Sequence, residues 1–569
     1  MEPGSQPDRP QPVPMRAWDH ETDLLVVGSG AAGMTAALVA RLEGLDSLVL
    51  EKTGFFGGST AVSGGGIWVP NNHLMERAGI PDSFENACLY LQNTVGDRTP
   101  RKNQTTYVAT AREMLEYLTG RANLEFRMAH GFPDYYPERP GGVATGRTVY
   151  IPVFVGRKLG RELARLRDHD HSAAKWVLLT LEEFKRFLLC KTNPAFLPTA
   201  MRVALRNASN LVFRRGHATL GRALAASLLH SLREHDVPAW LETGLRELVL
   251  DGGRVTGVLA EKEGTTVAIR ARKGVVLAAG GFARNISMRE EFLPKPASTE
   301  WTSAAEGDTG EVIRMGMTIG AAVDLMDDAW WGPSLVAPGR APMFMVAERS
   351  YPGSIIVDSA GRRFVNEASS YIDVGHRTYE SNGRGSVTIP AHFIMDQRFR
   401  SNYYLGVLPS GYTPKKLIEN GYIKKASTLR GLAVEAGIDP DGLVETIERF
   451  NEFARTGRDP DFDRGDSAYD RSYADPSVKP NPSLAPIERP PFYSVEVYPG
   501  DLGTKGGLVT NERAQVLRED GSVIDGLYAA GNTSASVMGN TYPGGGSTLG
   551  PAMTFGYLAA MHAADRLHT

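Results

Sequence analysis

The sequence predicts an α/β domain built on a parallel sheet and interrupted by an inserted α+β domain. Three observations support this architecture. Residues 23–27 form an apolar run that leads into glycines and then into an alanine-rich stretch, the pattern of a buried strand followed by a buried helix. Two further apolar runs end in glycine far downstream, at residues 274–281 and 525–532. The chain has 569 residues, which exceeds the length of one ordinary domain.

The spacing of these glycine-ended strands predicts the domain boundaries. If the three glycine segments all touch one bound ligand, the chain between the last two must form an inserted domain that returns to the first. We therefore predict that residues 20–329 and 500–569 form the first, discontinuous domain, and that residues 330–499 form the inserted, capping domain. Residues 1–19 predict a disordered arm rather than a signal peptide, because five prolines fall in the first 14 positions.

Composition excludes several classes of function. The formal net charge is −3, which disfavours a nucleic-acid partner. The two cysteines, Cys88 and Cys190, are too few for a disulfide framework, a four-thiolate zinc site or an iron–sulfur cluster. Any redox chemistry must therefore use a bound cofactor, and a reducing cytoplasm is the expected compartment.

Other site classes lack their sequence signals. No His-Glu-x-x-His motif occurs and the 12 histidines do not cluster at ligand spacing, so no metal site is expected. No Gly-x-Ser-x-Gly nucleophile elbow is present. No apolar run reaches the roughly 18 to 20 residues of a membrane span, and we expect the chain to lack one.

The first glycine segment has the features of a dinucleotide-binding turn. Gly28, Gly30 and Gly33 follow the strand in the order Gly-x-Gly-x-x-Gly. In such a turn the first glycine permits the tight bend, the second lets a pyrophosphate approach the backbone, and the third lets helix and strand pack closely. A second strand ends at Glu51, 18 residues after Gly33, where a carboxylate can accept hydrogen bonds from an adenosine ribose.

The remaining glycines favour FAD over NAD. A second glycine cluster follows Glu51 directly, and strand-end glycines recur far downstream. A long flavin dinucleotide in an extended pose needs the backbone to approach it at several such points. We therefore predict a Rossmann-like FAD-binding domain. The predicted FAD-binding residues are Gly28, Gly30, Ala31, Ala32, Gly33, Glu51, Lys52, Gly57, Gly58, Ser59, Thr60, Ser63, Gly64, Gly65, Gly66, Ala279, Gly280, Gly531, Asn532, Ser547 and Leu549.

The sequence pattern of residues 174–215 predicts helices that carry both apolar and basic residues. This stretch holds eight basic residues against two acidic ones. A solvated face is the favoured interpretation. The alternative is peripheral contact with an anionic membrane.

Tyrosines recur beside glycines in the second half of the sequence and near residue 135. Together with the glycine segments they resemble the 3-ketosteroid Δ1-dehydrogenases, a branch of the fumarate reductase and succinate dehydrogenase flavoprotein superfamily. The matching strings cover the chain after the arm: the Gly28 fingerprint, Phe56-Gly-Gly-Ser-Thr60, the run 63–72, Asp134-Tyr-Tyr-Pro-Glu138, Asp327-Asp-Ala-Trp-Trp-Gly332, Asn366-Glu367, Gly503-Thr-Lys-Gly-Gly507 and Tyr542-Pro-Gly.

The resemblance implies an activity and site residues. It implies removal of hydrogens from C1 and C2 of a 3-ketosteroid A ring, with the hydride passing to FAD. The implied catalytic residues are Tyr542 and the Gly546 N–H at the C3 carbonyl, Tyr371 as the base and Tyr135 as the support of that base; Phe132 and Tyr136 would contact substrate. Because Tyr135 and Tyr136 are adjacent, their register is open.

The chain departs from the family pattern at three positions. Ser370 and Gly545 stand where prolines are common in the family, which puts the substrate range in doubt. Ser59 stands where succinate dehydrogenases carry a flavin-linking histidine, so we expect noncovalent FAD.

Three alternative functions remain open at this point. The same cofactor and fold could serve a 3-ketosteroid Δ4-(5α)-dehydrogenase or a fumarate reductase-like oxidoreductase, because fold alone does not fix function. A flavin-carrying electron-transfer subunit without its own substrate is the third. The electron acceptor, a quinone or another carrier, is also open.

Overall fold

The computed structural model describes residues 17–168 and 177–567. Most of the predicted disordered arm, residues 1–16, therefore lies outside the described residues. Asp19, which the prediction placed in the arm, is hydrogen-bonded to Ala268: its backbone N–H donates to the Ala268 carbonyl, and its carboxylate accepts from the Ala268 N–H. Ordered contact with the sheet thus begins before residue 20.

In the described ranges the strands are, in chain order, β1 (His20–Val27), β2 (Ser47–Leu50), β3 (Gly66–Trp68), β4 (Arg127–Met128), β5 (Thr148–Tyr150), β6 (Ala239–Trp240), β7 (Thr243–Asp251), β8 (Arg254–Lys262), β9 (Thr265–Leu277), β10 (Val323–Asp324), β11 (Ala329–Leu335), β12 (Met343–Phe344), β13 (Ser354–Val357), β14 (Ala391–Met395), β15 (Lys424–Ala426), β16 (Phe492–Thr504), β17 (Gly507–Leu508), β18 (Gln515–Leu517) and β19 (Val523–Ala529).

The α-helices of the same ranges are α1 (Ala31–Leu42), α2 (Gly58–Val62), α3 (His73–Arg77), α4 (Phe84–Thr94), α5 (Arg101–Arg121), α6 (Leu181–Leu188), α7 (Leu197–Phe213), α8 (Leu220–Glu234), α9 (Ile286–Phe292), α10 (Glu311–Thr318), α11 (Tyr371–Gly383), α12 (Gln397–Asn402), α13 (Lys415–Glu419), α14 (Leu429–Ala436), α15 (Pro440–Thr456), α16 (Ala468–Tyr473) and α17 (Leu549–Ala563). None of them is both long and apolar enough to cross a bilayer.

A mostly parallel sheet forms the first layer. Its order is β18-β19-β9-β1-β2-β6, and β7 and β8 extend it from β9 as an antiparallel hairpin. Leu25 pairs with Leu48 on one side and with Val275 on the other, and all three side chains are fully buried. These strands read as continuous apolar runs because helices cover the sheet on both faces.

The long strands β7, β8 and β9 follow one another in the chain and are joined by turns at Gly252-Gly253 and Gly264. Strand β9 continues past its hairpin with β8 into the parallel sheet. Gly274 makes that continuation possible: its φ is +147°, and a Cβ there would lie 2.8 Å from the Gly526 carbonyl oxygen of β19.

An antiparallel sheet forms the second layer. Its order is β12-β11-β16-β14-β13, with β15 also paired to β16. The long strand β16 joins the sheet together, because its second half pairs with β11 and its first half with β14. Helix α11 packs on β11 so closely that a Cβ on Gly375 would lie 2.3 Å from the Trp331 Cβ.

Candidate active site and cofactor cradle

The parallel strands β1, β9 and β19 are neighbours, and each ends in a predicted cofactor segment. Carboxyl ends of parallel strands meet at one edge of a sheet, where α/β proteins bind ligands. The structure therefore brings Gly28, Gly280 and Gly531 to the same edge. Gly28 has φ +107°, and a Cβ there would lie 2.3 Å from the Ala278 carbonyl oxygen, so a larger residue cannot make this turn.

Helix α1 presents its N-terminus at this edge. Gly30 precedes the helix and supplies no side-chain cap, while the Ala31 N–H donates to Thr60 Oγ1 at 2.9 Å. A Cβ on Gly33 would lie 2.0 Å from the Gly28 carbonyl oxygen, which explains the close packing of helix and strand. A Cβ on Gly30 would meet only Thr60 Oγ1, at 3.6 Å. An open helix N-terminus of this kind suits a pyrophosphate.

Glu51 and Lys52 follow β2 at the same edge. One Glu51 oxygen accepts from the Ser29 N–H and hydroxyl, at 3.3 and 2.6 Å, and the other from the Thr53 N–H and hydroxyl, at 2.9 and 2.8 Å. These four hydrogen bonds fix the orientation of the Glu51 carboxylate beside the glycine turn. Lys52 forms an ion pair with Glu311 and lines an open cleft of about 760 Å³.

The second glycine cluster surrounds α2 and β3. Gly57 has φ +104° and donates its N–H to the Ser29 hydroxyl, and Gly58 begins α2. The Ser63 hydroxyl accepts from the Gly65 N–H at 3.1 Å. A Cβ on Gly65 would lie 2.4 Å from Leu220 backbone; Gly64, by contrast, has open space, and Gly66 begins β3.

Asp308 contacts two of the predicted FAD-binding residues but was not itself predicted. Its carboxylate accepts from the Ser59 hydroxyl at 2.8 Å, and a Cβ on Gly280 would lie 2.1 Å from it. Burial raises the pKa of Asp308 to about 7, against the opposing effects of the Ser59 hydrogen bond and the Lys52 charge. The Gly-Asp-Thr-Gly run at 307–310 was the signal that could have found it.

The other end of the cradle lies beside α17. Asn532 accepts a hydrogen bond from the Trp330 indole at 3.1 Å, and Gly531 faces Ala32 of α1. Asn532, Ser547 and Trp330 line a narrow cavity of about 30 Å³, and Leu549 begins α17. The segments after β1, β9 and β19 thus follow three neighbouring strands, and the open space at Gly30 is compatible with close approach of a dinucleotide.

A tyrosine cluster lies between the two sheet layers; its members are Tyr135, Tyr371, Tyr469, Tyr473 and Tyr542. The Tyr135 hydroxyl donates to the Tyr371 hydroxyl at 3.0 Å. The Tyr542 ring stacks on Tyr135 at 5.1 Å and meets Tyr371 edge-on at 4.9 Å. These three side chains are at most 7% exposed, so water is largely excluded from their hydroxyls.

Different parts of the chain position the three hydroxyls. Tyr371 is the first residue of α11, and Tyr542 precedes the turn that leads to α17. The Tyr135 N–H donates to the Pro543 carbonyl at 2.8 Å, which ties Tyr135 to the Tyr542 loop. Gly546, in the same loop, has φ +100°, and a Cβ added there would lie 2.4 Å from the Gly66 carbonyl oxygen. A larger residue would therefore clash at this position.

Burial controls the ionisation of this cluster. It raises the pKa of Tyr371 and Tyr135 well above the ordinary tyrosine value, and neighbouring phenols raise both further. Burial also raises the pKa of Tyr542, while hydrogen bonding by Tyr371, Thr548 and the Gly546 backbone opposes that rise. Tyr542 is therefore suited to stay neutral and donate a hydrogen bond.

The structure separates Tyr135 from Tyr136. The Tyr136 hydroxyl donates to Asp373 at 2.9 Å, whereas the Tyr135 hydroxyl donates to the Tyr371 hydroxyl. Phe132 lies edge-on to Tyr473 at 6.3 Å and under the Lys185 ammonium at 4.3 Å. Tyr469 and Tyr473, both on α16, were missed by the sequence analysis because nothing in the local sequence distinguishes them from packed core tyrosines.

The chain is similar to known flavoproteins over most of its length. The FAD binding domain family matches residues 23–549. The 3-oxosteroid 1-dehydrogenase of Mycobacterium tuberculosis is 44% identical over 96% of this chain and 99% of its own length. The solved 3-ketosteroid delta1-dehydrogenase from Sterolibacterium denitrificans, in complex with 1,4-androstadiene-3,17-dione, is 42% identical with a TM-score of 0.93 and covers 96% of this chain and 100% of that one.

A solved 3-ketosteroid-delta4-(5alpha)-dehydrogenase from Rhodococcus jostii is similar in fold alone. It is 24% identical with a TM-score of 0.68, over 97% of this chain and 98% of that one.

The predicted family, fold class and cofactor are confirmed by the family match, the Mycobacterium tuberculosis relative and the Sterolibacterium denitrificans structure. The chain is an FAD flavoprotein and belongs to the 3-ketosteroid Δ1-dehydrogenase family.

Proposed function

We propose that this protein catalyses the FAD-dependent 1,2-dehydrogenation of 3-ketosteroids. The observation that carries the proposal is the buried hydroxyl pair of Tyr135 and Tyr371 with Tyr542 packed beside it. A proton donor and a proton acceptor within one water-poor space are what removal of a hydrogen next to a ketone requires.

The chain's own residues perform the proton chemistry. The Tyr542 hydroxyl and the Gly546 N–H hold the C3 carbonyl oxygen, on which negative charge grows as the C2 proton leaves. Tyr371 takes that proton, and the Tyr135 hydroxyl stabilises the Tyr371 oxygen. The C1 hydrogen leaves as a hydride, for which bound FAD supplies the acceptor, and the C1–C2 double bond forms.

Anaerobic mixing with a panel of 3-ketosteroids tests this function. Loss of flavin absorbance with a Δ1 product, identified by mass spectrometry and NMR, is the expected result. A saturated A-ring substrate distinguishes the alternatives, because a Δ4-(5α)-dehydrogenase would place the double bond between C4 and C5. Reoxidation by fumarate alone, or failure of every steroid to reduce the flavin, would favour the fumarate reductase-like or the electron-transfer alternative.

We further propose that α7 contacts an anionic membrane peripherally. Its outer face exposes Leu197, Met201 and Leu205, each more than half exposed. Exposed Arg202 and Arg214 lie on and directly after the same helix. An apolar face flanked by arginines suits the boundary between headgroups and acyl chains. The basic residue Lys175 of the predicted stretch lies outside the described residues.

Sedimentation with phosphatidylglycerol vesicles tests the membrane proposal. The parent protein is expected to pellet at low salt and to be released at high salt, because the Debye length shrinks. The triple variant Leu197→Ser, Met201→Ser and Leu205→Ser should stay in the supernatant with unchanged flavin absorbance. If the parent protein does not pellet, α7 is an ordinary solvated face.

A further inference from the structure

Arg349 places a buried positive charge beside Tyr371. The Arg349 side chain is fully buried in the short turn Glu348–Ser350. Its guanidinium carbon lies 5.9 Å from the centre of the Tyr371 ring. A cation at this distance from an aromatic ring is attracted electrostatically, most strongly where water is excluded.

The same guanidinium is hydrogen-bonded to the backbone segment that leads into α11. It donates to the carbonyl oxygens of Glu367 and Ser369, which lie four and two residues before Tyr371. It also donates to the Tyr469 hydroxyl at 3.3 Å, and the Tyr469 ring lies 4.5 Å from Tyr135. Arg349 therefore contacts both the loop before the base and the phenols around it.

No carboxylate pairs with Arg349 among the described residues. Its hydrogen-bond acceptors are backbone carbonyls and a phenol. Four other buried guanidinium groups hold carboxylates: Arg147 with Asp82 and Asp134, Arg289 with Asp501, and Arg363 and Arg464 with Glu367. A buried charge without a counterion is costly, and a nearby group that can become an anion relieves that cost.

Within residues 17–168 and 177–567, no other positive charge contacts the Tyr371 ring. The groups that face Tyr371 are Tyr135, Tyr542, Tyr469 and Phe344 from neighbouring segments, with Asp373 and His376 further along α11 itself. Burial raises the pKa of Tyr371 strongly, so a base at this position needs a compensating cation. The Arg349 charge already acts in that direction on its neighbours: it lowers the pKa of Tyr469, Tyr473 and Asp373 against the larger effect of burial.

We propose that Arg349 is a positioning residue for Tyr371, fixing the backbone before α11 and supplying the positive charge against which the Tyr371 phenolate forms. This inference rests on the proposed function, in which Tyr371 accepts the C2 proton. The proton moves from C2 to the Tyr371 oxygen, and Arg349 itself exchanges no proton.

The pH dependence of flavin reduction tests the role of the charge. The holoenzyme is mixed anaerobically with one 3-ketosteroid from pH 6 up to the highest pH at which the flavin spectrum of each variant is unchanged, for the parent and for Arg349→Met and Arg349→Lys. In Arg349→Met the midpoint of the rising limb should move up by roughly one unit or more, as expected for loss of an opposite charge at this distance. Its rate should approach that of the parent at high pH. Arg349→Lys keeps the charge and should keep the midpoint, with a slower rate because the clamp on two carbonyls is lost.

Arg400→Met is the matched control. Arg400 is also a buried guanidinium held by carbonyls and a hydroxyl, but its contacts lie in the loop 403–413, away from Tyr371. It should lower thermal stability and leave the midpoint unchanged. If Arg349→Met slows the reaction equally at every pH, or if Arg400→Met shifts the midpoint equally, Arg349 is a structural residue only.

Ultraviolet difference titration gives a second readout that needs no steroid. The tyrosinate signal that disappears in Tyr371→Phe should appear at higher pH in Arg349→Met than in the parent. An unchanged titration would overturn the inference, even where the enzyme is active. Failure of the parent to reduce its flavin with any 3-ketosteroid would instead refute the proposed function, and the titration would still decide the effect of Arg349. Should Arg349→Met not fold, Arg349→Lys and Arg349→Gln form the same comparison.

Discussion

Replacing Tyr542 with phenylalanine removes one hydroxyl and leaves the ring in place. The phenylalanine ring keeps the contacts with Tyr135 at 5.1 Å, Trp330 at 5.0 Å and Tyr371 at 4.9 Å. The expected loss of folding free energy is therefore only about 1 kcal/mol, the net contribution of one hydrogen bond.

The effect on the reaction should be larger than the effect on folding. In the proposed mechanism the Tyr542 hydroxyl faces the carbonyl oxygen of the substrate, and Tyr542 is only 3% exposed. A hydroxyl in that position contributes most when negative charge has developed on the oxygen. Loss of one such donor costs about 2.7–4 kcal/mol in the transition state, or roughly 10² to 10³ in rate. Substrate affinity should fall much less, because in the proposed mechanism the Gly546 N–H remains to bind the ketone.

Anaerobic stopped-flow measurement of flavin reduction over a range of steroid concentrations separates rate from affinity. Tyr403→Phe is the control, since the Tyr403 hydroxyl donates to Asp475 at 2.8 Å in a separate aromatic stack. It should lower stability without changing the rate. A Tyr542→Phe rate within about threefold of the parent, well under the roughly 1.4 kcal/mol of a tenfold change, would show that Tyr542 only packs in the cluster.

Three further outcomes are expected. Tyr371→Phe should slow flavin reduction by roughly 10² to 10⁴ and abolish deuterium exchange at C2 of a bound ketone, with FAD content unchanged; reduction at the parent rate would identify another base. Glu51→Ala should weaken FAD binding by about 1–3 kcal/mol, measured as cofactor retained on dialysis, and full retention would contradict a ribose contact. The folded-state pKa of Asp308 is raised to about 7 by burial, so its contribution to stability is complete below about pH 4 and is lost as the pH rises through 7. Asp308→Asn should therefore flatten the fall in melting temperature of the apoprotein between pH 5 and pH 8, and an unchanged slope would exclude Asp308 as its source.

Local sequence patterns were sufficient to predict the first strands and helix of the parallel sheet. The apolar runs before Gly28 and after Gly44 form β1 and β2 around α1, because a buried parallel strand needs only a short continuous apolar segment. The resemblance to the steroid dehydrogenases also followed from short strings, and the comparisons confirm it. The helices between residues 177 and 215 likewise follow from their amphipathic spacing.

Long-range contacts were beyond sequence reasoning. The choice between Tyr135 and Tyr136 depends on pairing of this segment with residues 543 and 544, about 400 positions away. A one-residue shift of that pairing would therefore change which tyrosine meets Tyr371. Arg349 gave no signal either, because an arginine outside any motif has the same local appearance whether it is exposed or buried.

The two central hydroxyls are carried by different layers of the molecule. Tyr371 is fixed to the antiparallel sheet through α11, and Tyr542 belongs to the loop between β19 and α17 of the parallel layer. The alignment of the two hydroxyls therefore depends on how the two layers pack against each other, and a misplacement of about 1 Å can cost 10²-fold in rate. Substitutions in the contact between the layers, distant from both tyrosines, should give enzymes with normal flavin spectra and slow proton transfer. Inherited or engineered variation in rate can thus accumulate without any change in the residues that touch the substrate.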